Sequence, residues 1–192
     1  MTEIKDKYWL DTDKSALVII DVQEKLAPAM DQELYGQLVL DTNLLIAGFK
    51  ALELPIIATE QYSKGLGHTV TELTEATVQH CVEKVSFSCC GADGFMDVLE
   101  KRGAKQVVIA GMETHVCVLQ TVLDLLDRGY VVHLVRDAVS SRFKSDYEAA
   151  LTIAAQAGAV VTTTEAALFQ LVKGAGTDAF KVVSKLVRQR GA

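Results

Sequence analysis

The chain has 192 residues, of which 49% are hydrophobic and 23% charged, and its 19 basic and 25 acidic side chains give a formal net charge of −6. This balance predicts one compact domain over residues 1–192. Its apolar runs are far shorter than the roughly 20 residues of a membrane span, so we expect no membrane insertion. An acidic chain lacks the clustered cations that bind nucleic acid, so we expect no nucleic-acid partner.

The N-terminal segment and the cysteines indicate where the protein works. Residues 1–7 are charged and precede no apolar signal segment, so we expect no export. A chain of this size builds a core without disulfides, and its four cysteines show no framework spacing. We therefore expect a reduced, cytoplasmic environment.

Apolar, β-branched runs alternate with amphipathic segments along the whole chain. The runs predict strands at 15–21, 55–59, 81–86, 105–111, 130–137 and 159–163. The segments between and after them predict helices at 31–52, 94–101, 114–128, 145–157, 164–172 and 177–190. Asp31 is expected to open the first of these helices, and Ser145 with Glu148 forms a capping-box pattern. The alternation predicts an α/β domain with a parallel sheet buried on both faces.

In such a sheet, ligands bind beyond the carboxyl ends of the strands, where three reactive residues are expected. Cys117 falls in the first turn of a helix whose N-cap is expected at Thr114 or a neighbour, a position that favours the thiolate. Asp21 ends a buried strand, and Lys84 lies in a short one. A thiol, a carboxylate that takes its proton and an ammonium that holds the carboxylate form an activated nucleophile.

Each of these residues also has a structural interpretation. Cys117 is equally suited to pack as a small apolar side chain between Val116 and Val118. Asp21 is suited to cap the loop after its strand, and Lys84 to lie on the surface. The combination of the three favours chemistry more than any one of them does.

Two other groupings point to cofactor sites only weakly. Four residues of metal-binding types lie within eleven positions: His80, Cys81, Cys89 and Cys90. Their spacing lacks the paired ligands of a zinc knuckle, so structural roles are favoured for the cysteines. The glycine-containing segments 65–67 and 174–176 do not stand between the first strand and a helix, which disfavours a dinucleotide site.

The segments that carry these residues resemble the isochorismatase-like cysteine hydrolases. The likeness rests on LVIIDVQ at 17–23, Lys84 and GMETHVCV at 111–118, in matching order and spacing. Four further segments resemble the isochorismatase domain-containing branch: TEQY at 59–62, GLG at 65–67, LDLLDRG at 123–129 and DAVSSR at 137–142. The resemblance extends over nearly the whole chain.

The resemblance implies a three-layer α/β sandwich with a six-stranded parallel sheet in the order 3-2-1-4-5-6. It implies that Cys117 is the nucleophile, Asp21 the general base and Lys84 the partner of Asp21. It also implies a cis peptide bond between Met112 and Glu113, with the backbone N–H groups of Glu113 and Cys117 forming an oxyanion hole. The family commonly forms homo-oligomers, so we expect this chain to form one, either a dimer or a tetramer.

The family's nicotinamide-hydrolysing members bind a metal through an Asp and two His after the second strand. Here that stretch is TEQYSK at 59–64, followed only by His68, so we expect no metal and no cofactor. We expect the pocket for a small-molecule substrate to be lined by Gln61, Tyr62 and His115. The alternative interpretation is that these three residues are ordinary loop and helix-start residues with no contact to a substrate.

Three functions follow from this sequence. The favoured one is hydrolysis of a small amide or carbamoyl compound through a Cys117 thioester, which predicts a low pKa for Cys117. The second is a vinyl-ether hydrolase of the isochorismatase type, which relies on the acid residue. The third is an interaction protein that has kept the fold without catalysis.

Overall fold

The computed structural model describes residues 4–73, 76 and 79–190. Six strands are formed: β1 Ser15–Ile20, β2 Ile56–Gln61, β3 Cys81–Lys84, β4 Gln106–Met112, β5 Val131–Ser140 and β6 Val160–Thr162. All neighbouring strands are parallel and follow the order β3-β2-β1-β4-β5-β6. The predicted fold class and strand order are confirmed. This order places β1 beside β4, where the two halves of the sheet meet.

Helices cover both faces of the sheet. They are α1 Ile4–Tyr8, α2 Gln32–Ala51, α3 Ser63–Leu66, α4 Phe95–Lys101, α5 Leu119–Asp127, α6 Lys144–Ala157, α7 Thr164–Val172 and α8 Asp178–Gln189. Short 3₁₀ turns occur at Ala27–Ala29, Thr71–Leu73 and Cys89–Gly91. Within the described residues, no helix is both long and apolar enough to cross a membrane.

The strands β1 and β4 are fully buried because apolar clusters cover them on both sides. One cluster contains Leu17 and Ile19 with residues of α2, α7 and α8. The other contains Val18 and Ile20 with residues of α4, α5 and α6. Alternate residues of a strand point to opposite faces, so a run without a polar face fills both layers.

The predicted helices begin within one residue of the observed starts, counting the π-helical turn that precedes α5, but their expected side-chain caps are formed only in part. Asp31 does cap α2, accepting hydrogen bonds from the N–H groups of Glu33 and Leu34. The predicted capping box is wrong: α6 starts at Lys144 after Phe143, with no side-chain cap bond. The N-cap expected at Thr114 or a neighbour is Glu113, which precedes the π-helical turn Thr114–Val118 and forms no side-chain cap bond.

Candidate active site

A buried ion pair lies at the carboxyl edge of β1, β2 and β3. The Nζ of Lys84 donates to Oδ2 of Asp21 at 2.6 Å, and neither side chain is exposed. Asp21 has a φ of 50°, in the left-handed region that Asp enters more readily than most residues. The hydroxyl of Thr59 on β2 donates to Oδ1 at 2.7 Å. Both carboxylate oxygens therefore have partners in the protein.

The ammonium of Lys84 has further acceptors around it. It donates to Oε1 of Gln61 at 2.7 Å and to the carbonyl oxygens of Ser86 and Phe87 at 3.2 and 3.0 Å. Burial is the largest cause and lowers the pKa of Lys84, but the charge and hydrogen bond of Asp21 together with the nearby Cys89 and Cys117 outweigh it, and the net pKa is raised. Lys84 is therefore a charged, fixed partner of Asp21.

Cys117 lies next to this pair, in the π-helical turn that follows β4. It is buried, and its thiol forms a hydrogen bond with Asp21. Burial is the main cause that raises the pKa of Cys117, and the Asp21 carboxylate raises it further. The sequence-based prediction of a low pKa is therefore wrong for the free protein, because burial and Asp21 outweigh the helix start and Lys84.

Gly111 lets β4 approach β1 at the site. Its φ of 123° favours glycine, and a Cβ there would lie 2.1 Å from the carbonyl oxygen of Ile20. Ile20 and Gly111 are register partners, one residue before Asp21 and six before Cys117. The close approach of these backbones brings the carboxylate and the thiol together.

The turn that carries Cys117 is tied to the end of β5. The peptide bond between Met112 and Glu113 is cis. The buried Glu113 carboxylate accepts from Nε of Arg142 at 2.9 Å and from its backbone N–H at 3.3 Å. The Thr114 hydroxyl donates to the carbonyl oxygen of Ser140 at 2.9 Å. Glu113 and Thr114, at the start of the turn, are thus held by the last residue of β5 and by Arg142 just after it.

The three predicted pocket residues differ in their surroundings. Gln61 supports Lys84, and its Nε2 donates to the carbonyl oxygen of Val85 at 2.8 Å, so its amide has partners at both ends. Tyr62 is exposed and has a left-handed φ of 40°. His115 has Nδ1 at 3.1 Å from Oγ of Ser141. Only Tyr62 presents most of its side chain to solvent.

The residues that replace the family's metal ligands do not fit a metal ion. Both oxygens of Glu60 have partners: Oε1 accepts from the N–H and hydroxyl of Thr69, and Oε2 lies 2.9 Å from Nδ1 of His68. Burial raises the pKa of Glu60, but these hydrogen bonds outweigh it and the net pKa is lowered. Over the described ranges, no group of three or more His, Cys, Asp or Glu residues is arranged to hold a metal.

Three residues next to the site were not predicted to take part in it. They are Thr59, which holds Asp21; Arg142, which holds Glu113; and Cys89, whose buried Sγ lies 3.8 Å from Oγ1 of Thr59. Thr59 and Arg142 lie in the segments that carry the family resemblance, at 59–62 and 137–142. That position was the only signal, since their partners lie 29 to 38 residues away.

The isochorismatase-domain family model matches residues 15–166, which include all of these residues. The chain belongs to the isochorismatase family. It is 40% identical over 180 residues to isochorismatase domain-containing protein 2 of Danio rerio, covering 93% of this chain and 89% of the relative. The resemblance to the domain-containing branch is thereby confirmed.

Solved structures support the same fold. The MAR1 ribonuclease of Caenorhabditis elegans has 42% identity and a TM-score of 0.87, with 94% of this chain and 92% of that chain covered. The YcaC gene product of Escherichia coli, described as an octameric hydrolase of unknown specificity, has 23% identity and a TM-score of 0.84, covering 96% and 93%. The second likeness concerns the fold alone.

Proposed function

We propose that the protein is a cysteine hydrolase that cleaves a small amide or carbamoyl compound through a thioester on Cys117. One observation carries the proposal: Asp21 contacts both the Cys117 thiol and the Lys84 ammonium inside a buried site. Such an arrangement joins a nucleophile, a base and a fixed countercharge. Membership of a hydrolase family is consistent with it.

The raised pKa of Cys117 sets the order of events. The thiol keeps its proton in the free enzyme and passes it to Asp21 as Sγ attacks the acyl carbon. The C–N bond then breaks, and the amine leaves with the proton from Asp21. Water, deprotonated by Asp21, cleaves the thioester, releasing the acid and restoring the thiol.

Lys84 and the turn around Glu113 hold this chemistry in place. Lys84 keeps Oδ2 of Asp21 fixed, so that the carboxylate exchanges protons with Cys117 and the leaving group without moving away. In this proposal the backbone N–H groups of Glu113 and Cys117 stabilise the tetrahedral oxyanion. The ion pair with Arg142 positions the first of these groups.

The name of the Caenorhabditis elegans relative raises the alternative of RNA cleavage. Binding of a phosphate backbone requires unpaired cations. The chain has a net charge of −6, and the two cations at the site, Lys84 and Arg142, are paired with Asp21 and Glu113. These observations favour a small uncharged acyl compound over a polyanion.

The proposal extends to the cellular compartment and the assembly of the enzyme. All four cysteines are free thiols, which supports a reduced, cytoplasmic environment. A homo-oligomer, a dimer or a tetramer, remains our expectation for the assembly. It is tested by sedimentation velocity of the purified chain.

The proposal is tested by trapping the thioester. Wild-type protein is mixed with a panel of primary amides and carbamoyl compounds, quenched in acid and analysed by intact mass, while released ammonia is followed separately. Cys117→Ser is expected to lose the acyl adduct, whereas the matched control Cys81→Ser, on the exposed strand β3, keeps it. Isochorismate turnover that survives Cys117→Ala but not Asp21→Ala would instead identify a vinyl-ether hydrolase.

A further inference from the structure

Four apolar side chains are exposed at the edge of the sheet that carries Cys117. Tyr62 follows β2, Val85 and Phe87 follow β3, and Phe143 follows β5. Their exposed fractions are 53%, 80%, 54% and 64%. We call these four residues the apolar rim. They follow strands at the carboxyl edge of a parallel sheet, the edge where ligands bind, so they are available to contact a substrate.

Backbone hydrogen bonds tie three rim residues to the ion pair. The N–H of Tyr62 donates to the carbonyl oxygen of Lys84 at 2.8 Å. The carbonyl oxygen of Phe87 accepts from Nζ of Lys84 at 3.0 Å, and that of Val85 accepts from Gln61 at 2.8 Å. The backbones that present these side chains are therefore part of the framework that holds Lys84.

The fourth rim residue stands on the opposite side of β1 and β4. Phe143 comes directly after Arg142, whose backbone and guanidinium both hold the Glu113 carboxylate. Glu113 begins the turn that carries Cys117. The apolar rim therefore has members on both sides of the strands that carry the nucleophile and the base.

Cations close to the nucleophile are already neutralised. Lys84 is paired with Asp21 at 2.6 Å, and Arg142 with Glu113 at 2.9 Å. A carboxylate or phosphate on the substrate would have to displace Asp21 from the fully buried Lys84 at a large cost in desolvation, whereas the Arg142 side chain is half exposed and holds Glu113 through Nε. An uncharged substrate avoids that cost.

The geometry points to a substrate class for this site: a neutral acyl compound that carries an apolar group of several carbons, held by the apolar rim while Cys117 attacks the carbonyl carbon. This inference rests on the proposed cysteine chemistry and adds the kind of substrate that the enzyme prefers. Transfer of each methylene from water to an apolar site favours binding about fourfold, which makes selection by chain length measurable.

The test uses alkylation of Cys117, which needs binding and a thiolate but no hydrolysis. Chloroacetamide, N-butylchloroacetamide and N-benzylchloroacetamide each form an S–C bond with the Cys117 thiolate and release chloride, and the thiol proton passes to the solvent buffer. Rate constants for Cys117 are measured by peptide mass spectrometry, and each is divided by the rate constant of the same reagent with glutathione. Division by the glutathione rate removes the intrinsic reactivity of each reagent, so the quotients compare how well the protein binds the three reagents.

We expect the quotient for the benzyl reagent to exceed that for chloroacetamide by about tenfold in the wild type. Phe87→Ala, which keeps the carbonyl that binds Lys84, and Phe143→Ala should each reduce this advantage to about threefold or less. Ile153→Ala is the matched control, since Ile153 is an exposed apolar residue on the outer helix α6 and should leave the advantage unchanged.

Two results would overturn the inference. One is equal quotients for all three reagents in the wild type. The other is a rim variant that slows all reagents equally and converts an oligomer to monomers in sedimentation velocity, because the rim would then be a contact between copies of the chain. A third combination separates the two proposals. If the wild type strongly prefers the benzyl reagent but no amide forms a thioester, the apolar rim is supported as a binding site and only the proposed hydrolysis is contradicted.

Discussion

Lys84 Nζ and Asp21 Oδ2 lie 2.6 Å apart in a site where neither side chain has any exposed surface. Removing one partner of such a pair leaves an uncompensated buried charge, which costs about 3–5 kcal/mol. We expect Lys84→Met to lower the free energy of unfolding by about that amount and to abolish acylation. Urea denaturation followed by circular dichroism measures the first effect.

The matched control for Lys84→Met is Lys181→Met, which removes the ammonium of an exposed pair with Asp178 and should change stability by less than about 1 kcal/mol. The double variant Asp21→Asn with Lys84→Met removes both charges and should regain most of the stability without regaining acylation. A double variant as unstable as Lys84→Met alone would show that the charge itself is not the cause.

The raised pKa of Cys117 predicts an unusual labelling profile. Iodoacetamide should modify Cys117 more slowly than glutathione at pH 7, and the rate should still increase at pH 9, because the thiolate fraction is small. Asp21→Asn removes the charge and hydrogen bond that favour the thiol, so the pKa falls and labelling should accelerate about tenfold at pH 8. Labelling is followed by peptide mass spectrometry.

Lys84 acts on the same thiol with the opposite sign, since its positive charge lowers the pKa of Cys117. Lys84→Met should therefore slow labelling, while Asp93→Asn, on the surface after the Cys89–Gly91 turn, serves as the neutral control. A decrease in labelling rate for Asp21→Asn would contradict the assigned effect of the carboxylate.

The strands were predictable because their signal is local. Runs such as 16–20 and 107–110 contain only apolar residues, and the observed strands differ from the predicted bounds by at most three residues at either end. The strand order came from the family resemblance, since periodicity does not specify which strands pair. Asp21 and Cys117 were found because each interrupts or follows such a run.

The electrostatics of the site were not predictable in the same way. The pKa of Cys117 depends on how deeply the thiol is buried and on its contact with Asp21, 96 residues away in the chain. The support of Glu113 by Arg142 spans 29 residues. Such contacts are set by tertiary packing, which a single sequence does not encode as a local pattern.

Gly111 offers a direct test of the close approach between β1 and β4. A Cβ there would lie 2.1 Å from the carbonyl oxygen and 2.5 Å from the nitrogen of Ile20, both rigid backbone atoms. We expect Gly111→Ala to lower the free energy of unfolding by at least about 2 kcal/mol and to prevent acylation of Cys117. Thermal unfolding and the thioester assay measure the two effects.

Gly36 is the matched control for Gly111. It lies within α2, where an added Cβ meets nothing within 4 Å. Gly36→Ala should stabilise the protein by about 0.5–1 kcal/mol, because alanine loses less backbone entropy on helix formation. An equal loss of stability in both variants would rule out the contact with Ile20 as the cause.

His133 predicts how stability depends on pH. It is buried on β5 with its Nε2 unpartnered among the described residues, and burial lowers its pKa to about 4. The unfolded chain binds a proton near pH 6.5 and the folded chain only near pH 4, so stability is full above about pH 6.5 and decreases as the pH falls between these values. The expected loss is on the order of 3 kcal/mol.

His133→Gln should remove most of this pH dependence, because glutamine keeps a polar group in the site without titrating. Urea denaturation of the two proteins at pH 7 and pH 4.5 gives the difference directly. His80→Gln, directly before β3, is the control and should keep the wild-type pH dependence. If His133→Gln lost as much stability on acidification as the wild type, carboxylates rather than this buried imidazole would control the acid response.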